Sequence, residues 1–348
     1  MKNITDIKKL VRPNIQKLKA YSSARSEFTQ KANIYLDANE NPFDNGVNRY
    51  PDPLQNELKK MISKYKGQPV EKIFLGNGSD EVLDVIVRTF CEPGQDDIII
   101  NPPTYGMYSV IAAVNNINVK EVFLQKNFCI NEKEILEAAG EHTKMLILCS
   151  PNNPTGNVVE LEKIEFLLQY FPGLVLVDEA YIDFSPEHSA VSLLDNYPNL
   201  IVTQTLSKAW AMAGLRIGMA FAHPGLVQIF NKVKPPYNIS TVSQEKALQI
   251  LSDTRKFKEN LKRIEQQKVI LTAFLKSLDN VTEVIPSDAN FVSARFKNAG
   301  EVYQKLIEKG IVVRNRSNQP LCENCLRITV GTEEEMAVLI ETLKNLKL

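Results

Sequence analysis

A chain of 348 residues with 44% apolar and 24% charged residues has the composition of a soluble globular protein, with enough sequence for a large core spread over two or three domains. Its 41 Lys plus Arg balance 41 Asp plus Glu, which excludes the basic footprint of a nucleic-acid or anionic-membrane binder. Any anionic substrate must therefore be met by a few placed cations.

The start, Met1-Lys-Asn-Ile-Thr-Asp-Ile-Lys-Lys9, carries charge where a signal peptide has its apolar core, and no apolar run of about 18 residues follows, so a cytoplasmic protein is expected. Leu54 to Lys66 reads as a helix stopped by Gly67, Lys72 to Leu75 as a strand, Glu81 to Cys91 as a helix and Asp97 to Asn101 as a strand. A helix follows Tyr105, a strand spans Val119 to Phe123, and Asn131-Glu-Lys-Glu134 opens another helix as a capping box. Then come a strand from Lys144 to Cys149, a helix from Leu161 to Tyr170, and two strands, Leu174 to Val177 and Leu200 to Thr205. Strand and helix alternating in this way predict a mostly parallel sheet with helices on both faces. After Pro235-Pro236 the pattern turns helical, first Val242 to Leu251 and then a long amphipathic stretch from Asp253 to Leu278 suited to bridging two domains. Short strands at Thr282 to Ile285, Phe291 to Arg295, Ile311 to Arg314 and Leu326 to Val330, with helices at Gly300 to Glu308 and Thr332 to Lys347, predict a smaller α/β domain. The expected division is 36–255 for the large domain and 256–348 for the small one with its connecting helix.

Lys208 is the focus of the chemistry. It ends Thr-Leu-Ser-Lys after one buried strand, and Asp178 ends the neighbouring one, Leu174-Val-Leu-Val177. Open α/β sheets place ligand groups at such strand ends. A lysine amine forms a Schiff base with an aldehyde, and a carboxylate keeps a pyridine nitrogen protonated so that the ring accepts electrons from a carbanion. Singly, each residue reads as well as a cap or a solvated charge. Gly76-Asn-Gly-Ser-Asp-Glu81 lies between a strand and a helix; Glu81 replaces the third glycine of a dinucleotide fingerprint, which leaves a glycine turn at a helix start that suits a phosphate or an ordinary helix cap. Arg327 interrupts the apolar strand Leu-Arg-Ile-Thr-Val, where an unpaired guanidinium is costly. Arg314 ends a predicted strand and Arg316 lies two residues on, a spacing that puts both on one face if the strand continues. Five cysteines, scattered and odd in number, argue against a disulfide framework. Cys322-Glu-Asn-Cys325 has metal or redox spacing, but there is no second pair and the three histidines are remote, so no metal site is expected.

The order of Ser150-Pro-Asn-Asn-Pro-Thr-Gly156, Asp178-Glu-Ala-Tyr181, Ser207-Lys208 and Arg216 resembles that of the fold-type I aminotransferases that depend on pyridoxal 5'-phosphate (PLP), from Leu36 to Gly331. Within that superfamily the segments Leu36-Asp-Ala-Asn-Glu-Asn-Pro-Phe43, Arg49-Tyr-Pro-Asp52 and Cys325-Leu-Arg-Ile-Thr-Val-Gly331 are most similar to the histidinol-phosphate aminotransferase family. The resemblance implies an α/β fold with a large PLP-binding domain, a smaller α/β domain, and residues 1–35 packed on the smaller one. It implies that Gly78, Ser79, Asp80, Ser207 and Arg216 hold the PLP phosphate, that Tyr105 lies on the ring, and that Asn153 and Tyr181 bond its phenolic oxygen. By the same match Asp178 pairs with the ring nitrogen, Lys208 is the covalent attachment point and general base, and Tyr50 reaches the phosphate of a neighbouring subunit in a homodimer. Tyr21, Asn39, Arg314 and Arg327 match substrate positions, with Arg327 on an α-carboxylate and Arg314 near a substrate phosphate. The implied activity is ping-pong transamination of histidinol phosphate with 2-oxoglutarate to imidazole acetol phosphate and glutamate. Aromatic aminotransferases, phosphothreonine-type decarboxylases and a non-catalytic PLP-binding regulator remain as alternatives, the last disfavoured by the lack of a basic helix-turn-helix segment.

Overall fold

The computed structural model describes residues 7–21 and 32–346. Its first elements are a single helical turn α1 (Pro13–Gln16), helix α2 (Asn56–Lys66), strand β1 (Ile73–Asn77), helix α3 (Ser79–Phe90), strand β2 (Asp97–Ile100), helix α4 (Met107–Val114), strand β3 (Asn118–Glu121), helix α5 (Glu132–Ala138) and strand β4 (Thr143–Cys149). Helix α6 (Leu161–Tyr170), strands β5 (Leu174–Asp178), β6 (Leu200–Thr205) and β7 (Ile217–Ala222), and helices α7 (Pro224–Val233) and α8 (Thr241–Leu251) complete the larger unit. The local signals act as the sequence suggests at several ends. Gly67 closes α2 in the left-handed region at φ 64°, and the Asn131 side chain accepts the Glu134 amide at the start of α5.

Seven strands form one sheet in the order β1-β7-β6-β5-β4-β2-β3. All pairs are parallel except those of β7, which runs antiparallel to β1 and β6. The central strands are apolar on both faces, as a covered parallel sheet requires. Leu174 and Leu176 join the core beneath α3, α4 and α7, while Val175 and Val177 join the core beneath α2, α6 and α8. This alternation aims Asp178 at the first face and Glu179 at the second.

Neither β7 nor α7 is among the elements expected from the sequence. Ile217-Gly-Met-Ala-Phe-Ala222 is buried throughout and has no period of two to betray a strand. The reversal of β7 has a functional consequence: its first residue lies at the edge where the parallel strands end, as the register Thr205 with Gly218 and Asn77 with Ile217 shows. Arg216 is thereby delivered to that edge.

The chain leaves this unit along helix α9 (Thr254–Lys276), then forms β8 (Val281–Ile285), β9 (Phe291–Phe296), helix α10 (Ala299–Glu308), β10 (Arg314–Asn315), β11 (Cys325–Thr329) and helix α11 (Glu333–Asn345). These four strands make an antiparallel sheet in the order β10-β11-β9-β8. The strand expected from Ile311 to Arg314 is displaced: only Arg314 of that range pairs, together with Asn315, while Ile311 to Val313 run along an open edge with Val312 exposed. Leu271 and Leu275 of α9 are buried with Val292, Leu326 and Leu339 in a separate core. Cys322 and Cys325 are buried thiols that close a turn, Cys325 N donating to Cys322 O at 3.0 Å.

The amino-terminal segment departs from expectation. Val11 is buried in the core under α3, Arg12 N donates to Thr89 O at 3.1 Å, and the Arg12 guanidinium bonds Glu92 and Arg88 O. The described part of that segment therefore packs on the large unit rather than the small one; residues 1–6 and 22–31 lie outside the described residues.

Candidate active site

Nine of the residues singled out from the sequence line one cavity at the carboxyl edge of the large sheet: Ser79, Asp80, Tyr105, Asn153, Asp178, Tyr181, Ser207, Lys208 and Arg216. They come from the ends of β1, β4, β5 and β6, the start of β7 and the turn before α4, segments far apart in the chain.

Asp178 is fully enclosed. Tyr108 Oη donates to its Oδ2 at 2.6 Å and Thr203 Oγ1 to its Oδ1 at 3.1 Å. Burial raises its pKa above the ordinary carboxylate value, and these two bonds offset only part of the rise. Neither Tyr108 nor Thr203 is identified from the sequence. Tyr108 lies one helical turn beyond Tyr105, and Thr203 is the register partner of Asp178 and a polar residue inside an apolar strand. Those are the signals that point to them. Cys149, also in the cavity wall, is a thiol pushed up to about 12 by burial.

Lys208 follows β6 on a tight turn. Burial and then the Arg327 charge push its pKa down, which favours the neutral amine. Its Nζ lies 5.6 Å from the centre of the Tyr181 ring. Tyr181 is pushed up to about 12 by burial, so it keeps its proton and remains a donor. Tyr105 donates to Asp80 Oδ1 at 3.2 Å and meets Tyr108 edge-on.

One end of the cavity is shaped by backbone. Gly78 is the N-cap of α3 with φ 86° and no side-chain cap, so the first-turn amides stay open. A Cβ at Gly78 would lie 2.5 Å from Arg216 Nη2, and one at Gly218 would lie 2.3 Å from the Ser79 amide nitrogen. Two glycines thus keep clear a cradle of helix amides, the Ser207 hydroxyl and the Arg216 guanidinium. That donor set fits the phosphate of PLP, and an enclosed Asp178 fits its pyridine nitrogen. Glu81 faces away; it accepts from Asn77 N at 2.5 Å and Asn238 Nδ2 at 2.7 Å.

The second sheet supplies positive charge. Arg327 on β11 hydrogen-bonds Asn153 Oδ1, stands 5.2 Å from the Phe291 ring centre, and has a buried Nε without a partner. Arg314 is its register partner on β10, and Arg316 Nε is likewise buried and unpartnered. Burial followed by the other two guanidiniums lowers the Arg316 pKa, and no carboxylate pairs with any of the three among the described residues.

Asn39 and Tyr50 do not join the Lys208 cavity. They line an adjoining pocket of about 730 Å³ that shares Arg216, where Tyr50 stacks on Tyr237 at 4.5 Å. Tyr21 is 74% exposed and lines neither pocket.

Residues 26–343 match the family described as aminotransferase class I and II. A histidinol-phosphate aminotransferase of Flavobacterium johnsoniae is 50% identical over 347 residues, 99% of each chain. The solved structure of histidinol-phosphate aminotransferase from Clostridium acetobutylicum superposes with a TM-score of 0.79 at 26% identity, covering 86% of this chain and 90% of that one. That from Sinorhizobium meliloti, in complex with pyridoxal-5'-phosphate, does so with a TM-score of 0.77 at 25% identity, covering 85% and 83%. Taken with the cavity geometry, these likenesses show that the chain belongs to the class I and II aminotransferases, a family that depends on pyridoxal 5'-phosphate.

Proposed function

We propose that this chain transaminates L-histidinol phosphate with 2-oxoglutarate, giving imidazole acetol phosphate and L-glutamate in histidine biosynthesis. The observation that carries the substrate class is the cluster of Arg314, Arg316 and Arg327, three guanidiniums without a carboxylate partner among the described residues, joined through Asn153 to the cavity of Lys208. Such a cluster is relieved by an anion. Histidinol phosphate brings a phosphate, and glutamate brings two carboxylates. The names of relatives at about half identity over nearly full length support the same donor.

PLP, when bound, supplies the electron sink for charge leaving a substrate α-carbon. Arg216, Ser207 and the open amides of Ser79 and Asp80 would hold its phosphate, with Gly78, whose own amide is taken by Gly76 O, shaping the turn. Asp178, fixed by Tyr108 and Thr203, would pair with the ring nitrogen, Tyr105 would face the ring, and Asn153 and Tyr181 would bond the phenolic oxygen. Lys208 would be the covalent anchor, and its free Nζ would take the proton from the substrate α-carbon, a task for which the neutral amine is the competent form. Arg327 clamps the α-carboxylate of glutamate through paired N–H bonds, and Arg314 receives the phosphate or the side-chain carboxylate. Tyr21 and Asn39 contribute from the amino-terminal segment.

In this reading the chain works as a cytoplasmic homodimer. Ile34, Leu36, Phe43, Val47 and Tyr50 are exposed along a stretch without helix or strand that borders the pocket shared with Arg216. So large an apolar surface asks for a cover, and a second copy would cover it while bringing its Tyr50 to the phosphate. No helix among the described residues is long and apolar enough to cross a membrane.

The test is a half-reaction panel. The PLP form is mixed separately with histidinol phosphate, phenylalanine, tyrosine and phosphothreonine, and conversion to pyridoxamine phosphate is followed by absorbance. Conversion by histidinol phosphate is expected. Conversion by the aromatic amino acids alone, or release of carbon dioxide from phosphothreonine, would replace the substrate assignment. Borohydride reduction and peptide mapping test the anchor, and a pyridoxyl label on any residue except Lys208 removes it.

A further inference from the structure

Trp210, the single tryptophan of the chain, lies two residues past Lys208 and takes no part in the site described above. Its indole stacks on Phe257 with ring centres 3.8 Å apart and planes 9° from parallel, and Tyr65 meets it edge-on at 5.1 Å. The turn that carries Lys208 is closed on itself: Ala211 N donates to Lys208 O and Met212 N to Leu206 O, both at 3.1 Å. Leu206, Ala209, Trp210 and Met212 are buried beneath this turn, while Ser207 and Lys208 line the cavity. A turn closed by its own hydrogen bonds moves as a unit, so a shift of Trp210 is carried to Lys208.

Phe257 stands in the first turn of α9, whose start is fixed by Asp253 accepting the Lys256 amide at 3.0 Å. The other end of α9 is buried in the core of the small sheet, which carries Arg314 and Arg327. The two sheets also meet where Ser293 Oγ donates to Pro154 O at 2.5 Å and Asp288 N donates to Gly156 O at 2.8 Å. The helix of 23 residues is about 34 Å long, so a tilt of about 3° at its root moves its far end by about 2 Å. Beside the stack opens a pocket of about 350 Å³ bounded by Ala209, Ile250 and Asn260, which leaves the joint room to shift on that side.

We propose that the Trp210–Phe257 stack is a positioning joint that sets the distance between Lys208 and the arginine cluster, and so places the substrate α-carbon against the Lys208 amine. The inference rests on the reading of Lys208 and the arginines as two halves of one substrate site. A misplacement of about 1 Å is enough to cost on the order of 10²-fold in rate.

The experiment compares the PLP-loaded wild type with Trp210→Leu, Phe257→Leu and Trp210→Phe, using whichever donor of the panel converts the wild type. A wrong substrate assignment therefore leaves this test standing. Borohydride-fixed cofactor on Lys208 counts the loaded sites, and single-turnover rates against donor concentration separate affinity from limiting rate. Both leucine variants are expected to load, to keep half-saturation within about threefold, and to lose about tenfold or more in limiting rate per loaded site. Trp210→Phe, which keeps a ring on Phe257, recovers most of that rate. Limiting rates within twofold of wild type in both leucine variants, whatever their melting temperatures, overturn the proposal. Failure of both to load also overturns it, since the stack would then hold the turn itself and not the distance.

Discussion

Asp178 has both carboxyl oxygens occupied by donors in an enclosed site, so the group is held in one place and one orientation. Replacement by asparagine keeps the size but removes the charge, and its amide nitrogen cannot accept from Tyr108 or Thr203. Asp178→Asn is expected to retain PLP through the phosphate cradle and to lose about 10²-fold or more in turnover. Near wild-type rates in a steady-state assay would make Asp178 structural. On the proposed function the arginines separate by substrate. Histidinol phosphate has no carboxylate, so Arg327→Ala is expected to damage the glutamate half-reaction more, whereas Arg314→Ala damages both. Loss of a buried charge-assisted pair costs roughly 2–5 kcal/mol, or about 30-fold and upward in the affected half-reaction. Single-turnover rates with each donor decide it, and equal losses for Arg327→Ala remove the carboxylate assignment.

At the scale of elements, β7 decides the shape of the proposed phosphate cradle. It enters the sheet against the direction of its neighbours, carries Arg216 to their carboxyl edge, and presses Gly218 against the backbone of Gly78 and Ser79. The atoms a new Cβ would strike are backbone, which cannot swing aside as a side chain does. Gly218→Ala is expected to cost about 1–3 kcal/mol of stability and to weaken PLP binding at least about tenfold by displacing the start of α3. Equilibrium dialysis with PLP gives the affinity and thermal melting the stability; unchanged affinity would mean that this contact does not shape the cradle.

At the scale of the whole molecule, one buried pair works against stability. Lys59 and Lys234 are both buried, and each is pushed down to about 8, Lys59 by burial and then by the Lys234 charge, Lys234 by burial. Asp52 faces both lysines and Glu81 faces Lys234, yet these carboxylates do not cancel the effect. A lysine whose folded pKa lies below its unfolded value near 10.5 contributes stability that is present above 10.5 and is lost as pH falls through about 8. The pair is therefore a cost at neutral pH. Lys59→Met is expected to stabilise the protein by about 1–3 kcal/mol at pH 7, with the gain shrinking toward pH 10. Denaturant melts at both pH values check this, and a gain independent of pH would show that Lys59 charge is not its source.

The sequence by itself determined the alternation of elements, the strand ends bearing Asp178 and Lys208, the glycine turn before α3 and the capped helix starts. Each of these is a local signal, set by backbone sterics, hydrogen-bonding side chains or the period of apolar residues within a dozen positions. Its motif order also pointed to the family. Only the tertiary structure decided the rest. A strand buried on both faces carries no alternation, so β7 and its reversed direction were not legible, and with them the route by which Arg216 arrives. Tyr108 and Thr203 became partners of Asp178 through register and helix packing, which bring together residues 70 and 25 positions away. The docking of Val11 and Arg12 on α3, and the meeting of Trp210 with Phe257, are contacts between segments whose own patterns are complete without each other. Such contacts are fixed by the shape of the folded surface, which no single segment encodes.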